Sequence, residues 1–176
     1  MSKRQALGGV LVAGIVGLAA WIHPALAQPG GPPAPDYHPS LADLMTSSVQ
    51  PRHIKLAMAG RTRNWPYLAY ESSELRNAFN RIARTVPVYR KTQLADMFAS
   101  DVMPSLDELD AAIKAKNPAK FDAAYGKVTQ GCNACHLGLE HPYIVIRAPA
   151  TSSYPDQDFA ARKSAPPASQ RSRRAK

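Results

Sequence analysis

One segment near the C-terminal end carries a pattern that leaves little freedom. Asn117-Pro118 supplies a helix N-cap and a first-turn proline, a position that needs no amide donor. Phe121, Tyr125, Val128, Cys132, Cys135 and Leu139 then follow in alternating steps of four and three residues. That spacing sets all six on one face of a helix, and the stripe is stable only where other elements cover it.

Three upstream segments are available to do so. The first opens at Ser40, with Asp43 three residues on as a capping-box variant, and presents Leu41, Met45, Val49, Arg52 or His53, and Leu56 along one face. Pro51 predicts a kink or restart near Gln50, and Gly60 predicts the end. The second opens at Asn64, before Trp65-Pro66, with Leu68, Leu75, Phe79 and Ile82 as its buried stripe; Glu71, Glu74, Arg76 and Arg81 are expected largely outside, and Pro87 closes it. The third covers residues 92–116 with Leu94, Met97, Phe98, Leu106, Leu109 and Ile113, and Pro104 kinks it or splits it in two. The pattern predicts an all-α domain of four helical segments with no internal repeat.

The flanks read differently. Lys3-Arg4, the apolar residues 6–22 and Ala25-Leu26-Ala27 have the three parts of a secretory signal peptide over residues 1–27, the rival reading being a retained anchor. Cleavage after Ala27 would place the mature chain in a bacterial periplasm. Residues 28–39 contain GGPPAP and read as a flexible leader. Past His141, the run PYIVIRAPA is apolar, short and bounded by proline, an extended strap that ends the 40–150 domain. Residues 151–176 read as a basic tail, with disorder expected from about Ala160. The formal charge is +9, from 22 Lys and Arg against 13 Asp and Glu. Lys3, Arg4 and the basic residues Arg162, Lys163, Arg171, Arg173, Arg174 and Lys176 account for nearly all of it, so the folded part is close to neutral and the basicity belongs to the tail.

The run CNACH on the fourth helix carries the chemistry. Two thiols at Cys132 and Cys135 lie on neighbouring positions of one helical face, where they can add to the two vinyl groups of a haem, and His136 then reaches the iron as proximal ligand. C-x-x-C-H is a specific signature of covalent haem c attachment. A redox C-x-x-C belongs at the start of a helix after a strand, whereas this pair comes late in a helix. A zinc site built from Cys132, Cys135, His136 and His141 has a spacing that matches no common structural pattern. A disulfide would leave His136 unexplained.

Common small cytochromes c carry this motif near the N-terminus and draw the sixth iron ligand from a methionine downstream. Here Met1, Met45, Met58, Met97 and Met103 all precede it. A chain with four helices and C-x-x-C-H on the last resembles the cytochrome c prime family over residues 40–140, apart from the strap and tail, which typical members lack. The resemblance implies a left-handed antiparallel four-helix bundle enclosing one covalently bound haem, with the first helix over the distal iron face. Family members without a sixth ligand bind NO or CO; relatives with one carry electrons.

His53 and Met45 are therefore the candidate sixth ligands, giving a bis-His or a His/Met centre. Arg52, Lys55, Arg61, Arg63 and Arg147 are candidate partners for haem propionates, although most are expected to be ordinary surface charges. His38 is expected to be exposed, and His141 to help end the fourth helix. The expected function is periplasmic electron transfer by a mono-haem cytochrome that is not an enzyme. The alternative is a five-coordinate gas-binding haem protein, its distal side lined by Leu41, Val49 and Leu56. Partner redox proteins, a possible homodimer and contact of the tail with anionic surfaces fit this reading; nucleic acid does not.

Overall fold

A computed structural model describes residues 37–161. The signal segment, most of the leader and the basic residues from Arg162 on lie outside the described residues. Residues 38–161 belong to one compact unit. Its elements are α1 (Leu41–Leu44), a π-helical turn (Met45–Val49), α2 (Gln50–Arg61), α3 (Trp65–Thr85), the two-residue strands β1 (Val88–Tyr89) and β2 (Thr92–Gln93), α4 (Leu94–Asp101), α5 (Met103–Lys114) and α6 (Pro118–Gly138). The domain is all-α apart from the small β1–β2 hairpin. No helix among the described residues is long and apolar enough to cross a membrane.

The expected caps are present. Ser40 and Asp43 form a reciprocal capping box, and the side chains of Asn64 and Asn117 accept hydrogen bonds from the amides of Tyr67 and Lys120. Pro51 acts through the π turn. Proline has no N–H for the carbonyl of Ser47, and its ring crowds that carbonyl. The wider turn, closed by Gln50 N–H donating to Met45 O, absorbs both effects without ending the helix. Pro104 falls in the first turn of α5, so the third segment is two helices joined at Val102.

Two expectations need correction for physical reasons. α2 ends at Arg61, one residue past Gly60, but the glycine does not supply the left-handed end. It is buried within the last turn, where an added Cβ would stand 2.4 Å from Cε1 of Phe121, so the glycine permits close packing. The helix ends instead with Arg63 at φ 52°, with Arg63 N–H donating to Gly60 O and Asn64 N–H to Ala59 O. Lys116 and Glu140, also at positive φ, end α5 and α6 with the same pair of bonds. All three are Schellman ends with a non-glycine in the left-handed position. Glu71 is not outside either: its side chain is fully buried and its carboxylate lies 3.0 Å from Arg52 Nη1.

The helices close a circuit, α2 on α3, α3 on α5, α5 on α6 and α6 on α2, with α4 against α6 and α5. Leu56, Leu68, Leu75, Ile82, Leu106 and Val128 fill the interior. Residues 139–161 contain no helix or strand, as the strap reading requires, but the folded part continues past residue 150. Phe159 is buried beside Tyr67, and its carbonyl accepts from Thr62 Oγ1 at 2.7 Å and Asn64 Nδ2 at 3.1 Å. The chain therefore packs on the domain as far as Phe159, beyond the expected boundary at residue 150. The pattern missed this because a single aromatic in a polar stretch has no periodicity.

Candidate functional site

The π turn, α2 and α6 together with the strap enclose a cavity of about 400 Å³. Cys132, Cys135 and His136 all line it, as do Met45 and His53. Leu41, Val49, Phe79, Phe98 and Leu139 make the rest of the wall largely apolar. The volume falls within the range of ordinary small-molecule and cofactor sites. Leu56, expected on this wall, is buried in the core instead. The π turn helps to aim its residues: five residues occupy one wide turn, and three of them, Met45, Thr46 and Val49, reach the cavity.

His136 is held in one tautomer. Its Nδ1 lies 2.8 Å from the backbone carbonyl of Ile144. A carbonyl can only accept, so Nδ1 carries the proton and the neutral ring has its lone pair on Nε2. Nε2 has no hydrogen-bond partner among the described residues. This is the arrangement metal-ligating histidines adopt, with the far nitrogen tied to an acceptor and the near one left free.

Both cysteines are free thiols. Burial pushes the Cys132 thiol up to about 11. Cys135 is also shifted upward, first by burial and then by its hydrogen bond to Asp101 Oδ2 at 3.3 Å. A disulfide oxidoreductase needs the opposite shift at its attacking thiol. Nor is a zinc set assembled, since both ring nitrogens of His141 face tyrosines, Nε2 at 3.1 Å from Tyr89 Oη and Nδ1 at 2.8 Å from Tyr143 Oη. No group of three or more His, Cys, Asp or Glu able to hold a metal ion occurs among the described residues. The donor chemistry present, two thiols and one imidazole with a free nitrogen on an apolar cavity, fits a haem bound covalently.

His53 lies on the cavity wall but is committed elsewhere. It is buried, its Nε2 sits 2.8 Å from Thr129 Oγ1, and its Nδ1 sits 3.1 Å from Tyr125 Oη, on whose ring it stacks. Burial lowers its pKa to about 4. Met45 is half-buried, and its thioether makes no hydrogen bond among the described residues.

Four of the five cations considered for propionates are engaged. Arg52 pairs with Glu71 and Glu74, and Lys55 lies over the Tyr154 ring. Arg61 binds the carbonyls of Pro149 and Ala150, and Arg63 pairs with Asp122. Arg147 is exposed beside the cavity residue Ile146. His38 is exposed as expected. Sequence reasoning missed Tyr89, Tyr143 and Ile144, which reach the site through the hairpin and the strap.

Against known proteins, the chain matches no family model, no curated protein and no solved structure.

Proposed function

We propose that the chain is a mono-haem c-type cytochrome that carries electrons, its helices forming an antiparallel four-helix bundle of the kind found in cytochrome c prime. The observation that carries this reading is the convergence of Cys132, Cys135 and His136 on one apolar cavity, with His136 Nδ1–H spent on the Ile144 carbonyl. Cys132 and Cys135 would hold the haem through thioethers, and His136 Nε2 would be the proximal ligand. The bound haem supplies a one-electron iron couple. Leu41, Val49 and Phe79 exclude water from the cavity, while the strap residues Tyr143 and Ile144 are exposed and form its outer edge. Export by the signal segment would put the protein in the periplasm, where its redox partners would be found.

Met45 is the favoured sixth ligand, because it lines the cavity unencumbered whereas His53 would have to leave Thr129. The second reading is a five-coordinate centre open to NO or CO, and the commitment of His53 is the observation that favours it.

The test is expression of the full chain with a c-type maturation system, followed by mass spectrometry and optical spectra with and without CO. Haem that survives denaturation, and is lost in the Cys132→Ala/Cys135→Ala double variant, is expected. A chain that matures without covalent haem would overturn the proposal. Sharp low-spin bands indifferent to CO support the electron carrier, and high-spin bands that shift with CO support the second reading.

A further inference from the structure

The strap does more than cover the cavity. It is tied to α6 at two points that share one geometry. Asn133, inside the CNACH run, uses its side-chain amide as a backbone would: Oδ1 accepts from Ile146 N–H at 2.7 Å, and Nδ2 donates to Ile146 O at 2.9 Å. One helical turn later, His136 Nδ1–H donates to Ile144 O at 2.8 Å. Positions 133 and 136 are i, i+3 neighbours on the helix, and 146 and 144 are i, i+2 neighbours on one side of an extended chain. The two spans are about 4.5 Å along a helix and about 6.6 Å along extended chain, close enough to pair when the strap runs antiparallel to α6. The Schellman end sends it that way. Glu140 at φ 63° reverses the chain, and His141 N–H closes on the carbonyl of His136 itself.

We infer that Asn133 is a positioning residue for the proximal ligand: by clamping Ile146 it fixes the register of the strap, and so holds the Ile144 carbonyl on His136 Nδ1–H. This rests on the haem reading above. A hydrogen bond from Nδ1–H gives the ring partial imidazolate character and raises its basicity as a ligand. A more basic axial ligand favours ferric iron and lowers the reduction potential. Asn133 thus sets the potential without touching iron or haem. The strap's other anchor, Arg61 on Pro149 and Ala150, lies beyond the clamp and does not bear on Ile144.

The experiment compares the full chain with Asn133→Ala, Asn133→Asp and Arg61→Ala. Each is assayed for covalent haem, reduction potential and the His136 Nδ1–H signal in nitrogen-15 edited NMR of the reduced protein. Asn133→Ala is expected to keep its haem, to show a more positive potential and to lose or broaden the Nδ1–H signal. Asn133→Asp still accepts from Ile146 N–H and is expected to fall between Asn133→Ala and the parent, while Arg61→Ala matches the parent. The inference is overturned if Asn133→Ala leaves potential and signal unchanged, or if Arg61→Ala moves both equally. A parent chain without covalent haem would sink the cytochrome reading alone, since the Nδ1–H signal of His136 in that same chain still reports whether Asn133 holds the strap.

Discussion

Arg52 Nη1 stands 3.0 Å from the carboxylate of Glu71, which is wholly buried between α2 and α3. Arg52 also reaches Glu74 and lies over the Tyr70 ring, so it remains partly in contact with solvent while Glu71 does not. Removing the cation would strand a buried carboxylate. Arg52→Ala is expected to lower stability by about 3 kcal/mol, while Glu71→Gln, which removes the charge but keeps the shape, costs less. Urea unfolding of the two variants measures the difference, and equal losses would mean that the ion pair matters only as packing.

His53 makes stability depend on pH. Its pKa falls to about 4 from 6.5 because burial disfavours the charged ring. Below pH 6.5 the unfolded chain takes up a proton that the folded chain refuses until about pH 4, so stability declines as pH falls through that window and is unaffected above it. The full decline amounts to about 3 kcal/mol. Replacing the ring by His53→Gln is expected to flatten this acid limb, read from urea midpoints between pH 7 and 4, even though the variant starts from a lower stability at pH 7.

Much of the helical plan is legible because caps and prolines are local signals. Ser40, Asn64-Trp65-Pro66 and Asn117-Pro118 mark helix starts through interactions within a few residues of themselves. Helix ends are hidden, since Arg63, Lys116 and Glu140 adopt the left-handed conformation without the glycine that would announce it. Glu71 is opaque for a different reason: nothing near it in sequence shows that Arg52, nineteen residues away, will meet it. The motif CNACH points directly to Cys132, Cys135 and His136. The second half of the site is spread over the π turn, the β1–β2 hairpin and the strap, whose residues converge only through tertiary packing.

Gly131 precedes the motif and lies against the α4–α5 junction. A Cβ there would stand 2.2 Å from the backbone carbonyl oxygen of Asp101, which cannot swing aside as a side chain can. Gly131→Ala is expected to displace α6 and to destabilise the domain by about 1–3 kcal/mol. On the proposed haem reading, the yield of covalently bound haem is expected to fall as well, because Cys132 is the next residue. Gly126, whose added Cβ would meet nothing within 4 Å, is the control: Gly126→Ala is expected to stabilise the helix slightly.

Met45 occupies the first position of the π turn, where its flexible, unbranched thioether has no competing hydrogen bond. His53 is held by Thr129 and Tyr125, and reaching the iron would break both of those ring hydrogen bonds and the stack on Tyr125, leaving Thr129 Oγ1 on the Tyr125 carbonyl and Tyr125 Oη on the His53 carbonyl. On the proposed haem reading, Met45→Ala is therefore expected to convert a low-spin centre to one that binds CO, whereas His53→Ala leaves the CO response unchanged and lowers stability. The CO-difference spectra of the two variants decide between them. A His53→Ala protein that binds CO while Met45→Ala does not would reverse the assignment and make the Thr129 and Tyr125 contacts a resting state that ligation breaks.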